Sequence, residues 1–219
     1  METTINNLSS EKSENNILVY EKGCKEVYIN FNRTEKDFYI SDEYIKFIKS
    51  VEQLIRKSKE YRGYIAYLKE KIGLKQCSVF SNINDDLAKI EMHHGPIFTL
   101  FDYVEIASNA SMIKNKKLNS FIVAKEVLQD HYDNIVQVVM ISESVHKAIH
   151  GKKTDIFIPL EMSWGDLVKY IEKYGEFLNS VQVKKINDYM KKYRSSSGKY
   201  ASSFDNFFKS RIKNWSDFI

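Results

Sequence analysis

The chain has 219 residues, of which 43% are hydrophobic and 13% aromatic. This length and composition are typical of a folded globular protein and exclude wholesale disorder. The 33 basic and 29 acidic residues leave a formal net charge of +4, which permits a nucleic-acid partner without requiring one.

The sequence disfavours several classes of site and location. Cys24 and Cys77 are too few for a Cys-based zinc finger or a disulfide framework. No apolar run approaches the roughly 20 residues of a membrane-spanning helix, so we expect no integral membrane role. The opening residues lack the continuous apolar run of a signal peptide, and we therefore expect an intracellular, cytoplasmic protein.

The first third of the chain predicts a disordered segment and then a small α+β region. Residues 1–16 are rich in Asn, Ser, Glu and Thr, and we expect them to be disordered. Apolar and polar residues alternate over 17–40, which predicts an antiparallel β-meander. From Ser41 the apolar spacing becomes that of an amphipathic helix, which we expect Gly63 to end or kink. These elements form a predicted accessory region over residues 17–75.

The middle of the chain predicts the order strand, helical insertion, strand, helix. The β-branched residues of the second strand favour an extended conformation, and Ser and Gly mark the two ends of the last helix. The expected elements are strands at 77–80 and 87–92, helices at 98–107 and 118–131, a strand at 135–141, and a helix between Ser142 and Gly151.

The C-terminal part predicts a short strand at 157–160, a capping box at 163–166 that begins a helix, and a further helix at 181–193. From Lys184 onward, basic and aromatic residues interleave. Such a tail can grip a phosphate backbone and stack on exposed bases, or it can be a solvated helix face with its aromatics packed inward. Both interpretations stay open. Membrane-surface binding is weaker, because acidic residues interrupt the tail.

The histidines carry the main chemical signal. His146 and His150 lie four residues apart, so they project from one helix face and can bind one ion together. A third imidazole from His93 or His94 would complete a three-His site, and an open fourth position is typical of a catalytic metal centre. Because adjacent residues at a strand end point in different directions, one can bind metal while the other faces the substrate. We expect a structural role for His131.

Three segments resemble a known family. Ile90–His94, Asn134–Val136 and Val145–His150 are similar to the HNH motif of the ββα-metal nucleases, especially to the nuclease domains of DNase colicins, and also to HNH proteins of large bacteriophages. The likeness covers residues 86–153. The interval 95–133 is longer than the usual loop of the family and lacks its glycine-rich turn.

The resemblance implies a role for each residue of the motif. His93, His146 and His150 would bind a divalent ion (Mg²⁺, Mn²⁺, Ni²⁺ or Zn²⁺), and three imidazoles suit a transition ion best. The other implied roles are His94 as the general base, Asn134 as the residue that ties down the loop and orients His94, Glu91 as an indirect support, and Lys147 and Lys152 as phosphate contacts. Asn134 is also compatible with ordinary turn chemistry.

The predicted fold is α+β, with a ββα-metal (HNH) core that contains a helical insertion. We place this nuclease domain at 76–160, the N-terminal β-meander and helix before it, and a helical basic C-terminal extension at 161–219. The predicted function is hydrolysis of phosphodiester bonds in DNA, which we expect to be double-stranded. The alternative is a non-catalytic nucleic-acid-binding or assembly protein that retains an HNH scaffold. A toxin-like effector is a third option, which no secretion or receptor-binding segment supports.

Overall fold

The computed structural model of the chain describes residues 16–20, 26–30, 32–33, 41–115, 118–151, 156–196, 201–212 and 215. These segments contain both helices and strands, which confirms the predicted α+β class. No helix within them is long and apolar enough to cross a lipid bilayer. Residues 1–15 of the segment predicted to be disordered lie outside the described residues, as does the end of the predicted meander at 34–40, whereas Asn16 begins a strand.

The helices are α1 (Ser41–Lys57), α2 (Lys59–Glu70), α3 (Leu100–Asn115), α4 (Ser120–Tyr132), α5 (Glu143–His150), α6 (Leu167–Tyr174), α7 (Ser180–Ser195) and α8 (Ala201–Arg211). The strands are β1 (Asn16–Tyr20), β2 (Glu26–Asn30), β3 (Asn32–Arg33), β4 (Ile90–His94), β5 (Leu118–Asn119) and β6 (Val138–Ser142). Three antiparallel pairs form, β1 with β2, β3 with β5, and β4 with β6.

The pair β4 and β6 leads directly into α5. In this pair His93 lies opposite Val139, and His94 lies opposite Val138. Ser142 is both the last residue of β6 and the N-cap of α5, and the helix ends at Gly151, as predicted. The insertion between the two strands holds α3, β5 and α4. The described chain thus has the predicted order of strand, helical insertion, strand and helix, while its identity as an HNH core stays a prediction.

The break between the first two long helices is not where the sequence predicts it. Gly63 lies inside α2, and the chain breaks at Ser58 instead. Ser58 has extended backbone geometry, and its hydroxyl accepts a hydrogen bond from the backbone N–H of Tyr61. This cap starts a new helix, whereas Gly63 allows a close approach, because a Cβ there would lie 3.2 Å from the Tyr132 hydroxyl.

Two predicted strands are absent from the described residues. At 77–80 the backbone forms irregular contacts, with an isolated bridge between Gln76 and Asn84 just beside it. The Asn84 side chain accepts from the following backbone N–H groups, so a turn occupies the chain up to β4. At 157–160 the carbonyl of Ile158 accepts from the Tyr189 hydroxyl, and no strand partner lies alongside in the part of the chain described.

Buried carboxylates tie the insertion to the C-terminal helices. Asp102 of α3 accepts from Lys185 of α7 at 2.6 Å, and Asp130 of α4 accepts from Lys173 of α6 at 2.6 Å. Buried apolar side chains from α1 to Trp215 form one hydrophobic cluster. The predicted domain boundaries stay a prediction, although this cluster includes residues on both sides of the boundaries at 75/76 and 160/161.

The segment around Gly165 passes very close to the chain that enters β6. Trp164 and Val138 exchange two backbone hydrogen bonds of 2.8 Å, so Trp164 flanks β6 on the edge opposite β4. Gly165 has a φ of +112°, and a Cβ there would lie 2.2 Å from the Val136 carbonyl oxygen. Only glycine fits this approach.

We expect Gly165→Ala to lower the free energy of unfolding by about 3 kcal/mol or more, because steric overlap with Val136 adds to backbone strain. Gly73→Ala is the matched control, since Gly73 has a φ of +86° with nothing within 4 Å of the added carbon. That change should cost only about 1 kcal/mol. Urea unfolding of both variants measures the difference, and equal losses would contradict this account.

Candidate metal centre

Strand β4 presents alternating side chains to two different environments. Ile90, Met92 and His94 are buried, whereas Glu91 and His93 are half-buried. This alternation follows from the two-residue repeat of a strand, which sends neighbouring side chains to opposite faces. Glu91 and His93 therefore share the face on which α5 lies, and His94 points into the core.

The structure brings His93, His146 and His150 together. The ring centroids lie 5.1 Å apart for His93 and His146, 5.3 Å for His93 and His150, and 4.8 Å for His146 and His150. One ring nitrogen from each residue lies within 4.8 Å of the other two. Three neutral imidazoles are a suitable donor set for Zn²⁺, Ni²⁺ and similar ions. Because His150 is exposed, solvent or a ligand can reach the cluster.

Glu91 orients one of the three histidines. Its Oε2 lies 2.7 Å from His146 Nδ1, and its Oε1 accepts from Lys89 at 2.6 Å. Hydrogen bonds from Lys89 and His146 lower the pKa of the Glu91 carboxyl, so it is ionised and accepts the Nδ1 proton. His146 Nε2 is then left with its lone pair for a metal ion. Carboxylates commonly support metal-binding histidines in this way.

His93 is held neutral and in a fixed orientation. Burial, followed by the charges of His146 and His150, lowers its pKa to about 4. Protons therefore compete little with a metal ion at neutral pH. The backbone of Gly95 lies against the ring, since a Cβ at that residue would be 3.3 Å from His93 Nε2.

His94 lies on the opposite face of the strand from this cluster. Its ring is 5% exposed, it stacks on Tyr61, and its Nε2 lies 2.9 Å from His131 Nε2. His131 Nδ1 lies 2.6 Å from the Val127 carbonyl oxygen, which assigns the Nδ1 proton to His131. His94 therefore donates through Nε2 to His131, and both rings are neutral. The general-base role predicted for His94 would require the ring to leave this contact.

Asn134 has a role in the turn between α4 and β6. It adopts a φ of 55°, its side-chain oxygen accepts from the Trp164 indole at 2.9 Å, and its carbonyl accepts from the Asp166 N–H. Its own N–H donates to the carbonyl of His131. Asn134 thus joins the insertion to the segment that flanks β6, and it reaches His94 only through His131.

The sequence-predicted residues therefore divide into two groups. His93, His146, His150 and Glu91 meet on one side of β4, whereas His94 and Asn134 take part in packing on the other. Lys147 is exposed and pairs with Glu143, and Lys152 lies outside the described residues. The sequence analysis assigned a structural role to His131 and did not predict its contact with His94. Its place on the apolar face of a helix was the available signal that it is buried.

Comparison with known proteins gives one match. The model of a family described as bacteriophage G278-like virion proteins matches residues 1–215. Neither the curated proteins nor the solved structures include a match. The match supports the predicted likeness to bacteriophage proteins, and it leaves the predicted chemistry and intracellular location as predictions.

We expect Glu91→Gln to weaken binding of Zn²⁺ or Ni²⁺ by about 10–100-fold, because the uncharged amide oxygen is a weaker acceptor than the carboxylate for the His146 Nδ1 proton. Glu143→Gln is the matched control: it removes a nearby carboxylate that pairs with Lys147 on the surface. Isothermal titration of both variants measures the affinities. Equal affinity in the two variants would contradict the orienting role of Glu91.

Acidification should destabilise the fold through His131. Burial lowers the pKa of His131 to about 4, whereas the unfolded chain has the ordinary value of about 6.5. Below about pH 6.5, His131 is therefore protonated in the unfolded chain but not in the folded chain. The free energy of unfolding falls as the pH drops toward 4. We expect a loss on the order of 2 kcal/mol between about pH 7.5 and 5. Urea unfolding of chelator-treated protein should show this loss, and a flatter dependence in His131→Gln.

Proposed function

This chain belongs to the family of bacteriophage G278-like virion proteins, and we propose that it is a metal-dependent endonuclease that hydrolyses phosphodiester bonds in DNA, a function that the family description neither names nor excludes. The observation that carries the proposal is the convergence of three imidazoles on one solvent-accessible point. Three protein ligands with an accessible side are typical of catalytic rather than structural metal centres.

The protein's own residues would bind the metal ion and orient its ligands. His93 contributes a neutral ring from β4, and His146 and His150 contribute two rings from one face of α5. Glu91 fixes the proton of His146 on Nδ1. A bound divalent ion would supply Lewis-acid stabilisation of the negative charge that develops on phosphate oxygens, and would make water a better nucleophile.

The proposal does not depend on a histidine base. The ring of His94 is engaged by His131 and covered by Tyr61, on the face of β4 that points away from His93. In that place the ring holds the end of β4 against α2 and α4. This packing in turn keeps His93 aimed at α5.

A second candidate function is a non-catalytic nucleic-acid-binding or assembly protein that retains the scaffold. The specific observation in its favour is the burial of His94, since the motif residue implied as the base does not face the cluster. The family description, which names a virion protein, is compatible with either function. Turnover separates the two.

We expect the purified protein to nick supercoiled DNA when Mn²⁺, Ni²⁺, Zn²⁺ or Mg²⁺ is added, and not in the presence of a chelator. His146→Ala should reduce nicking by more than about 100-fold, a larger loss than changes to groups around a ligand cause. Ser144→Ala, an exposed change on the same helix, is the control and should nick normally. Metal binding without nicking in the unmodified protein would favour the assembly function.

A further inference from the structure

One cavity of the protein is lined by residues close to the candidate metal centre. Its volume is about 240 Å³, and it is lined by Pro96, Ile149, Ile156, Phe157, Ile158, Asp188, Tyr189 and Lys192. Pro96 follows Gly95, whose backbone lies against the His93 ring. Ile149 lies three residues after His146 on α5, and residues at that spacing are neighbours on a helix surface. Two lining residues of the cavity, Pro96 and Ile149, are therefore neighbours of the histidine cluster.

The walls of this cavity are mainly apolar and aromatic. The rings of Phe157 and Tyr189 stack with centroids 5.2 Å apart and planes inclined by 25°. Tyr189 is fixed by a hydrogen bond from its hydroxyl to the Ile158 carbonyl, and its ring stacks in turn on Tyr193. The volume is slightly below the roughly 300–1,000 Å³ of pockets for drug-sized ligands, so the cavity suits one flat ring system.

The charges around the cavity favour an uncharged group inside it and a phosphate outside it. Asp188 lines it, and the Lys184 ammonium holds that carboxylate ionised by lowering its pKa. An anionic phosphate is disfavoured next to this carboxylate. Helix α7 nevertheless carries five basic residues; Lys184 pairs with Asp188 and Lys185 with Asp102, while Lys191, Lys192 and Arg194 add positive charge near its C-terminal end, and Lys192 lines the cavity. The surroundings therefore attract a polyanion whose uncharged part enters the cavity.

We propose that this cavity binds one unpaired nucleobase of single-stranded DNA, beside the nucleotide whose phosphate lies at the histidine cluster. The inference rests on the proposed nuclease function and names its substrate class as DNA with unpaired bases, in place of the double-stranded DNA expected from the sequence. A base within a duplex is stacked and paired, so only an unpaired or extruded base can insert between protein side chains. Bases that carry an amino group fit best, because the Asp188 carboxylate accepts a hydrogen bond from such a group.

The test uses the full chain with its metal removed by a chelator, so that binding is measured without cleavage. The probes are short fluorescein-labelled DNA strands that contain only cytosine, only thymine or only abasic sites, and fluorescence anisotropy gives their affinities. The cytosine strand should bind at least about fivefold more tightly than the abasic strand, as expected for base stacking. It should also bind more tightly than the thymine strand.

Two variants and one control assign the preference to the cavity. Phe157→Leu keeps an apolar wall and should lose most of the preference for cytosine over abasic DNA. Asp188→Ala, at an exposed residue, should lose only the preference for cytosine over thymine. Phe121→Leu changes a partly exposed ring on α4, outside this cavity, and should behave like the unmodified protein.

The inference is overturned if cytosine and abasic strands bind equally, or if Phe157→Leu retains the full preference. Nicking of supercoiled DNA without any base preference would leave the nuclease function standing and remove the base-binding cavity. A base preference without metal-dependent nicking would support the base-binding cavity and contradict the nuclease function. The chain would then be a single-strand-binding module.

Discussion

The alternation of side chains along β4 is the constraint on which the rest of the molecule depends. A strand repeats every two residues, so Glu91 and His93 must share one face and His94 must occupy the other. The antiparallel pairing with β6 places α5 close to the first face, because α5 begins at Glu143, directly after β6 ends at Ser142. One strand therefore supplies a polar side for chemistry and an apolar side for the core.

The two faces are built by different parts of the chain. The polar face is built by β4 and α5, which supply all four residues that meet there. The buried face is assembled from distant segments: α2 contributes Tyr61, and α4, from the insertion, contributes His131. The contact between the two rings pairs His94 Nε2 with His131 Nε2, and the Val127 carbonyl pairs with His131 Nδ1, which makes these nitrogens compatible with the surrounding hydrophobic core.

Sequence patterns predicted the elements that depend on neighbours along the chain. The helix between Ser142 and Gly151, the spacing of His146 and His150, and the order of strands and helices all follow from local periodicity and caps. The contact between His94 and His131 joins residues 37 positions apart, and no local pattern encodes it. The break at Ser58 rather than at Gly63 has a different origin, since the Ser58 hydroxyl caps the Tyr61 N–H only three residues away and so starts α2 locally.

The unit formed by β4, β6 and α5 depends on segments that lie outside it in the sequence. A fragment cut to residues 86–153 would lose the α2 ring that covers His94 and the Trp164 backbone that borders β6. The apolar surface around His94 and the unpaired backbone groups at the edge of β6 would then be exposed to water. The two strands and the helix that hold the histidines are thus not an independent folding unit. Any transplant to another protein would have to carry the N-terminal helices and the segment around Gly165 with it.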